Sequence, residues 1–317
     1  MADTGVGGSI EPMTDQEQSQ PAGSPTADTA PVGTVTADGE VVTSQSDGDD
    51  NGRLLSWTLL SKVWAVIVAA GLGFGATVLS TLLVLGLFVA LGSLSIPRPS
   101  SPLVRFGIQF FFGQLVVMGG LSAVYLWATG NTIDYLNIHR PTLTQLAVIV
   151  VGPFAVYTIN IVVNVAGISA GLRPAPNVLA QIVSNDPSLV IPLIPAMLLI
   201  VGPFEELLYR GVIQTRLRRS FTPAVAIIIT SVIFALIHIP ALGGRTTAIP
   251  SILLTLAALF GGSLVFGGIY EWTANLTVVA LIHGLYNSML LGLLYIATRY
   301  ADEIRELAEQ ATALPIA

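Results

Sequence analysis

The stretch VGPFEELLYR, residues 201–210, decides the fold because it places two acids and an arginine inside an apolar segment of membrane length. Each ionisable group at that depth costs roughly 2.5–3.5 kcal/mol on insertion, so such groups usually face a protein interior or a wet cavity. Two of the chain's three histidines, His238 and His283, also lie in apolar segments. This combination indicates buried chemistry rather than ordinary packing.

The composition is that of a polytopic membrane protein. Of the 317 residues, 53% are hydrophobic and 10% are charged, whereas a soluble domain carries about 25% charged residues. Helices satisfy their own backbone groups inside a bilayer, so we predict an all-α bundle of transmembrane helices. The absence of cysteine excludes disulfides and thiol catalysis, and no basic patch is large enough to bind nucleic acid.

Seven apolar runs are each long enough for a span, which needs about 20 residues. They lie near 63–92, 103–129, 143–169, 188–215, 222–240, 249–270 and 274–298. Three prolines at 192, 195 and 203 could break the fourth run, and Gly284 could break the seventh. The prediction is therefore seven or eight spans.

The predicted organisation has four parts, namely residues 1–52, 53–141, 142–300 and 301–317. The first part holds ten acidic residues and no lysine or arginine, which predicts a disordered acidic tail. The second part contains N-terminal transmembrane helices, the third carries the intramembrane polar residues, and the fourth is a short C-terminal tail.

Basic residues in short loops predict the orientation, since cytoplasmic loops are richer in lysine and arginine. The loop that follows the fourth run contains three arginines, which places that loop in the cytoplasm. Alternation then puts six basic residues inside: Arg53, Lys62, Arg140, Arg216, Arg218 and Arg219. Four others fall outside: Arg98, Arg105, Arg173 and Arg245. We expect a multi-pass protein of the cell membrane with a cytoplasmic N-terminus.

Helical periodicity separates the roles of the two glutamates. Glu206 and Arg210 are four residues apart and share a face, where an acid–base pair lowers the cost of burying both charges. Glu205 is rotated by about 100° and faces elsewhere. A buried ion pair that holds two helices would explain the first two residues but would leave Glu205 without a partner. Pro203 frees a carbonyl near Leu199, which would loosen the helix and admit water.

Two further pairs show the same spacing of four residues. Phe234 and His238 share a face at the end of the fifth run, and His283 and Asn287 share a face in the seventh. Taken alone, they are explained by an interfacial histidine and by interhelical hydrogen bonds. His139 lies in a loop and is predicted to be a surface residue.

Taken together, these residues can hydrolyse an amide without a serine or cysteine nucleophile. A carboxylate and an imidazole can activate water as a general base, while a second imidazole and a carboxamide can stabilise the oxyanion. Alternatively, Glu205, His238 and His283, with Asn287, could ligate a zinc ion that keeps an open position for water. The cofactor prediction is therefore none or zinc.

The order Glu-Glu-x-x-x-Arg, Phe-x-x-x-His and His-x-x-x-Asn, each on its own span, resembles the CPBP family. These are the CAAX-protease and bacteriocin-processing type of intramembrane proteases, also called type II CAAX prenyl endopeptidases. The resemblance covers roughly 145–298, so 142–300 is interpreted as a protease core. The family has been described both as metalloproteases and as metal-free glutamate proteases. The sequence slightly favours the latter, because asparagine is a poor zinc ligand.

The resemblance implies a role for each motif residue. Glu205 would activate water, with His238 assisting, and His283 and Asn287 would stabilise the oxyanion. The structural or orienting residues would be Glu206, Arg210 and Phe234. The implied partners are the lipid bilayer and a peptide or lipidated peptide, since eukaryotic members remove the last three residues from prenylated CAAX tails.

Two alternatives belong to other functional classes. A non-catalytic membrane scaffold or bacteriocin-immunity protein would keep the fold without using Glu205. A transporter would use the buried acids for proton coupling, but the sequence has no clear inverted repeat. One short repeat occurs, VGPF at 151–154 and 201–204, and four common membrane residues can recur by chance.

Overall fold

The computed structural model describes residues 47–243, 247–301, 303, 305 and 306, with side chains from residue 58 onward. The chain divides into two units, residues 1–53 and 54–317, and the contacts described below all lie within the second. The predicted disordered tail lies outside the described residues, except that 47–52 begin the first helix. Of the predicted C-terminal tail, residues 301, 303, 305 and 306 are helical and the others lie outside the described residues.

Seven helices in the described part of the chain are long and apolar enough to cross a membrane. These are α1 (Asp47–Ser93), α2 (Pro102–Thr129), α3 (Leu143–Ser169), α5 (Pro187–Leu217), α6 (Pro223–Leu236), α7 (Ile249–Thr273) and α8 (Leu276–Arg299), with the short helix α4 (Val178–Asn185) before α5. The span that begins with α6 continues through a turn as far as Ala241. No strand occurs among these residues. The prediction of an all-α multi-pass bundle is confirmed, and Gly284 does not interrupt α8.

Two of the spans contain π-helical segments, in which hydrogen bonds join residues five apart rather than four. They lie at Phe111–Gly119 in α2 and at Met197–Val201 and Leu207–Gln214 in α5. The first segment of α5 ends just before Pro203, which lacks an N–H to donate. The predicted loosening near Leu199 is thus present as a wider turn, and α5 remains continuous.

Both acids of α5 lie on a five-residue α-helical piece, Gly202–Glu206, between the two π segments. π segments frequently occur at functional sites because the altered turn changes which way the following side chains face. In α5 the change occurs directly before and directly after Glu205 and Glu206.

The backbones of α5 and α8 approach closely at Gly202 and Gly284. A Cβ added to Gly202 would lie 2.6 Å from the backbone nitrogen of Gly284, and one added to Gly284 would lie 2.7 Å from Leu198 Cα. Small residues permit such contact between membrane helices. Because Glu206 follows Gly202 by one turn and His283 precedes Gly284, this crossing places the two side chains together.

The glycines of the two VGPF copies pack against neighbouring positions of α8. A Cβ on Gly152, in the first copy, would lie 2.6 Å from Ile282 Cδ1, two residues from the contact made by Gly202 in the second copy. Both glycines therefore lie against the same helix.

The seven spans change the charge count on which the predicted orientation depended. An odd number of spans places Arg299 and Arg305 at the end of the bundle opposite Arg218. They join the four basic residues predicted to lie outside, so each end carries six. The basic residues therefore no longer favour a cytoplasmic N-terminus.

Gly284→Ala is expected to destabilise the protein by about 1–3 kcal/mol, because its Cβ must push α5 and α8 apart. Gly292→Ala is the matched control on the same helix, since a Cβ there would meet nothing within 4 Å. Thermal unfolding in detergent should show a lower Tm for Gly284→Ala and an unchanged or higher Tm for the control. Equal shifts in the two variants would contradict the role of the crossing.

Candidate active site

A cavity of about 510 Å³ lies between the helices and is lined by the predicted catalytic residues. Its lining includes Glu205, His238, His283 and Asn287, which come from three different parts of the sequence. The remainder is largely apolar, with Met197, Val201, Leu290, Leu291 and Leu294 among the lining side chains. The cavity is thus an apolar chamber with a polar wall.

Glu206 is fully buried and joins two partners through one oxygen atom. Its Oε1 accepts hydrogen bonds from Arg210 Nη1 at 2.8 Å and from His283 Nδ1 at 2.7 Å. The predicted pair with Arg210 is therefore present. Since an ionised carboxylate can only accept, His283 Nδ1 carries the proton, and its Nε2 is the ring nitrogen nearest to Glu205.

Arg210 is enclosed by protein and does not line the cavity. Its Nη2 donates to Ser263 O at 3.1 Å and to Ser263 Oγ at 2.8 Å, which ties α5 to α7. The guanidinium carbon lies 5.0 Å from the centroid of the Phe234 ring and 5.4 Å from that of Phe266, within the range of cation–π attraction. These contacts hold Arg210 in place, and Arg210 in turn supplies the positive charge beside Glu206.

Glu205 is also buried, with 8% of its surface exposed, and it lines the cavity. Its Oε1 accepts a hydrogen bond from Gln114 Nε2 at 3.2 Å, and its Oε2 lies 3.8 Å from His283 Nε2. Gln114 comes from α2, a region in which the sequence showed no motif. The available signal was a pair of glutamines, Gln109 and Gln114, within the apolar run 108–118.

His238 lies in the turn beyond the end of α6 rather than within that helix. Its Nδ1 lies 2.7 Å from the carbonyl oxygen of Phe234, so Nδ1 is the donor. Its Nε2 makes no hydrogen bond within the described ranges of the chain. His238 and Glu205 line the same cavity, and no hydrogen bond or ion pair joins these two described residues.

Asn287 lies one turn after His283 and is half-buried at the cavity wall. Its carboxamide has no hydrogen-bond partner in the part of the chain that the structure describes. Phe234 also lines the cavity, and its ring centroid lies 4.7 Å from that of His238 and 6.0 Å from that of His283. His139 is exposed, as predicted.

Several polar residues of the cavity were not anticipated from the sequence. Besides Gln114, the lining contains Asn160 of α3, Asn177 before α4, Ser263 of α7 and Tyr286 of α8. None belongs to a spaced motif, so only the packing of the helices places them at the site.

The geometry does not fit the predicted zinc ligands. No group of three or more histidine, aspartate or glutamate side chains among the described residues is arranged to hold a metal ion. The Nδ1 atoms of His283 and His238 contact Glu206 and a carbonyl oxygen, respectively, so Nε2 is the nitrogen that each ring can present to the cavity. Glu205, His238 and His283 line one cavity but do not converge on a point.

Residues 187–289 match the family model described as Type II CAAX prenyl endopeptidase Rce1-like. The match includes all three motifs, so the resemblance is confirmed over this segment, which is shorter than the 145–298 predicted from the sequence. No curated protein and no solved structure matches the chain.

Arg210→Met is expected to destabilise the protein by about 3–5 kcal/mol, because it leaves Glu206 buried without its countercharge. The double variant Glu206→Gln/Arg210→Met should recover part of this loss. Arg218→Met is the matched control, since its pair with Glu271 is partly exposed and contributes about 1 kcal/mol or less. Unfolding in detergent measures all three, and equal Tm values for Arg210→Met and Arg218→Met would contradict the assigned role.

Proposed function

We propose that this chain, whose residues 187–289 are similar to type II CAAX prenyl endopeptidases, is an intramembrane endopeptidase that uses activated water. The observation that carries the proposal is the cavity, where Glu205, His238, His283 and Asn287 form the polar wall of an apolar chamber. A carboxylate, two imidazoles and a carboxamide supply the base and the donors that amide hydrolysis requires.

In the proposed first step, Glu205 acts as general base on a water molecule located between it and His238. Glu205 takes one proton, His238 Nε2 accepts a hydrogen bond from the other hydrogen, and the water oxygen attacks the peptide carbonyl carbon. The proton on Glu205 then passes to the leaving amine as the C–N bond breaks. General acid–base catalysis of this kind contributes about 10²–10⁴-fold.

Two hydrogen-bond donors, the Asn287 amide and His283 Nε2–H, are proposed to stabilise the negative charge that develops on the carbonyl oxygen. In this role His283 carries a proton on each of its two ring nitrogens. Glu206 supports this state, because it accepts from Nδ1 at 2.7 Å and is itself held by Arg210. Loss of one such donor typically lowers kcat by about 10²–10³-fold.

The residues that line the cavity also favour one class of substrate. No lysine or arginine side chain of the described residues lines the cavity, and Glu205 is its one carboxylate. A peptide segment that is apolar and uncharged around the scissile bond would avoid burying an unpaired charge. We therefore propose membrane-associated peptides as substrates, including prenylated CAAX-type tails or other lipidated peptides.

Glu205→Gln is expected to abolish peptide cleavage, with a loss of about 10²–10⁴-fold, because the amide cannot accept the proton from water. His238→Ala should lower kcat in the same direction. The assay uses purified protein in detergent with a farnesylated CAAX peptide and a mixed peptide library. Glu271→Gln and His139→Ala are the matched controls and should retain activity.

Two outcomes would contradict this proposal. Cleavage that persists in Glu205→Gln would exclude the assigned base. Failure of the folded wild-type protein to cleave any peptide would favour the non-catalytic scaffold.

Cleavage is also expected to continue in the presence of a strong zinc chelator, since no metal participates in the proposed steps. The protein should be dialysed against the chelator, assayed, and measured for metal content by elemental analysis. Loss of activity that is restored by added zinc would exclude the metal-free scheme while retaining the peptidase.

A further inference from the structure

We propose that Gln114 is a positioning residue for Glu205, so that the catalytic machinery includes α2. This inference rests on the proposed function and assigns a role to a residue outside the three motifs and outside the 187–289 family match. Gln114 would act through Glu205, without touching the reacting atoms.

The contacts of Glu205 define what Gln114 contributes. Among the described residues its Oε2 accepts no hydrogen bond, since His283 Nε2 lies 3.8 Å away, which is too long for one. The 3.2 Å bond from Gln114 Nε2 to Oε1 is therefore what fixes the rotation of the carboxylate. Without this bond, the carboxylate would turn toward His283 or into the cavity.

The oxygen atom of the Gln114 carboxamide is difficult to explain by a purely structural role. Its Oε1 is buried and has no hydrogen-bond partner in the described chain. A buried acceptor without a partner costs about 1–3 kcal/mol, so a leucine or methionine would serve packing better. The glutamine is explained by the one bond that it does make, which is to the proposed general base.

The packing of α2 holds Gln114 at the required place. It lies in the π segment Phe111–Gly119, whose glycines Gly113 and Gly119 allow close contact with neighbouring helices. A Cβ on Gly119 would lie 2.9 Å from the ring of Phe204, the residue before Glu205, and one on Gly113 would lie 2.9 Å from Ser80 Oγ. α2 is therefore anchored beside the general base and against α1.

The test compares Gln114→Met and Gln114→Glu with the wild-type protein in the peptide-cleavage assay. Methionine keeps the length and removes the donor, and is expected to lower kcat by about tenfold to a hundredfold, as for a misplaced catalytic group. KM and Tm should stay near the wild-type values, because packing is preserved. Glutamate places a like charge beside Glu205 and should lower kcat further.

Val116→Met controls for a methionine in the same π segment, since Val116 is 41% exposed and does not line the cavity. It should match the wild type. An unchanged kcat in folded Gln114→Met would overturn the proposal, as would a rise in KM alone or a loss explained by a lower Tm. If Gln114→Met does not fold, kcat, KM and Tm are measured for Gln114→Glu instead. An unchanged kcat, a rise in KM alone or a loss explained by a lower Tm would then overturn the proposal.

The failure of the proposed function is distinguishable from the failure of this inference. Wild-type protein that cleaves, together with inactive Glu205→Gln, establishes the proposed function, and Gln114 is then judged by its own variants. Wild-type protein without cleavage overturns both.

Discussion

The backbone contact between Gly202 and Gly284 is the constraint on which the polar site depends. Neither position has room for a Cβ, so the spacing of α5 and α8 is set by main-chain atoms rather than by adjustable side chains. The 2.7 Å bond between Glu206 and His283 follows directly from that spacing. Side-chain rotamers can change within nanoseconds, whereas a glycine-to-glycine crossing changes only if the helices move.

A series of neighbouring polar side chains is built on this crossing. It runs from Arg210 through Glu206 and His283 to Glu205, and ends at Gln114. Burying such groups is costly unless each has a partner. Glu206 Oε1 has two partners, at 2.8 and 2.7 Å, whereas Glu206 Oε2 and Arg210 Nε have none among the described residues. At the cavity, Glu205 and His283 lie 3.8 Å apart, where a substrate and water would complete their contacts.

Much of this arrangement could be predicted from the sequence because it depends on local periodicity. Hydropathy located the spans, and a spacing of four residues predicted the pair formed by Glu206 and Arg210. The same reasoning placed His283 and Asn287 on one face of α8. Family resemblance assembled the three motifs into one site, and the cavity is where they meet.

What the sequence could not predict depends on contacts between distant segments or on irregular hydrogen bonding. Gln114 is 91 residues from Glu205, and no periodic pattern links them. The position of His238 beyond the end of α6 depends on where the helix stops, and boundaries are poorly defined by composition. The charge count that predicted the orientation changed when seven spans placed two further arginines at the opposite end.

The π segments of α5 have a consequence for comparing this chain with its relatives. Each hydrogen-bonded ring in such a segment holds one residue more than an α-helical ring, so the helix can absorb a one-residue insertion or deletion there without shifting what lies beyond. Gaps in a sequence alignment of this helix therefore belong within Met197–Val201 or Leu207–Gln214. The piece between them, which carries both acids, must be aligned without gaps.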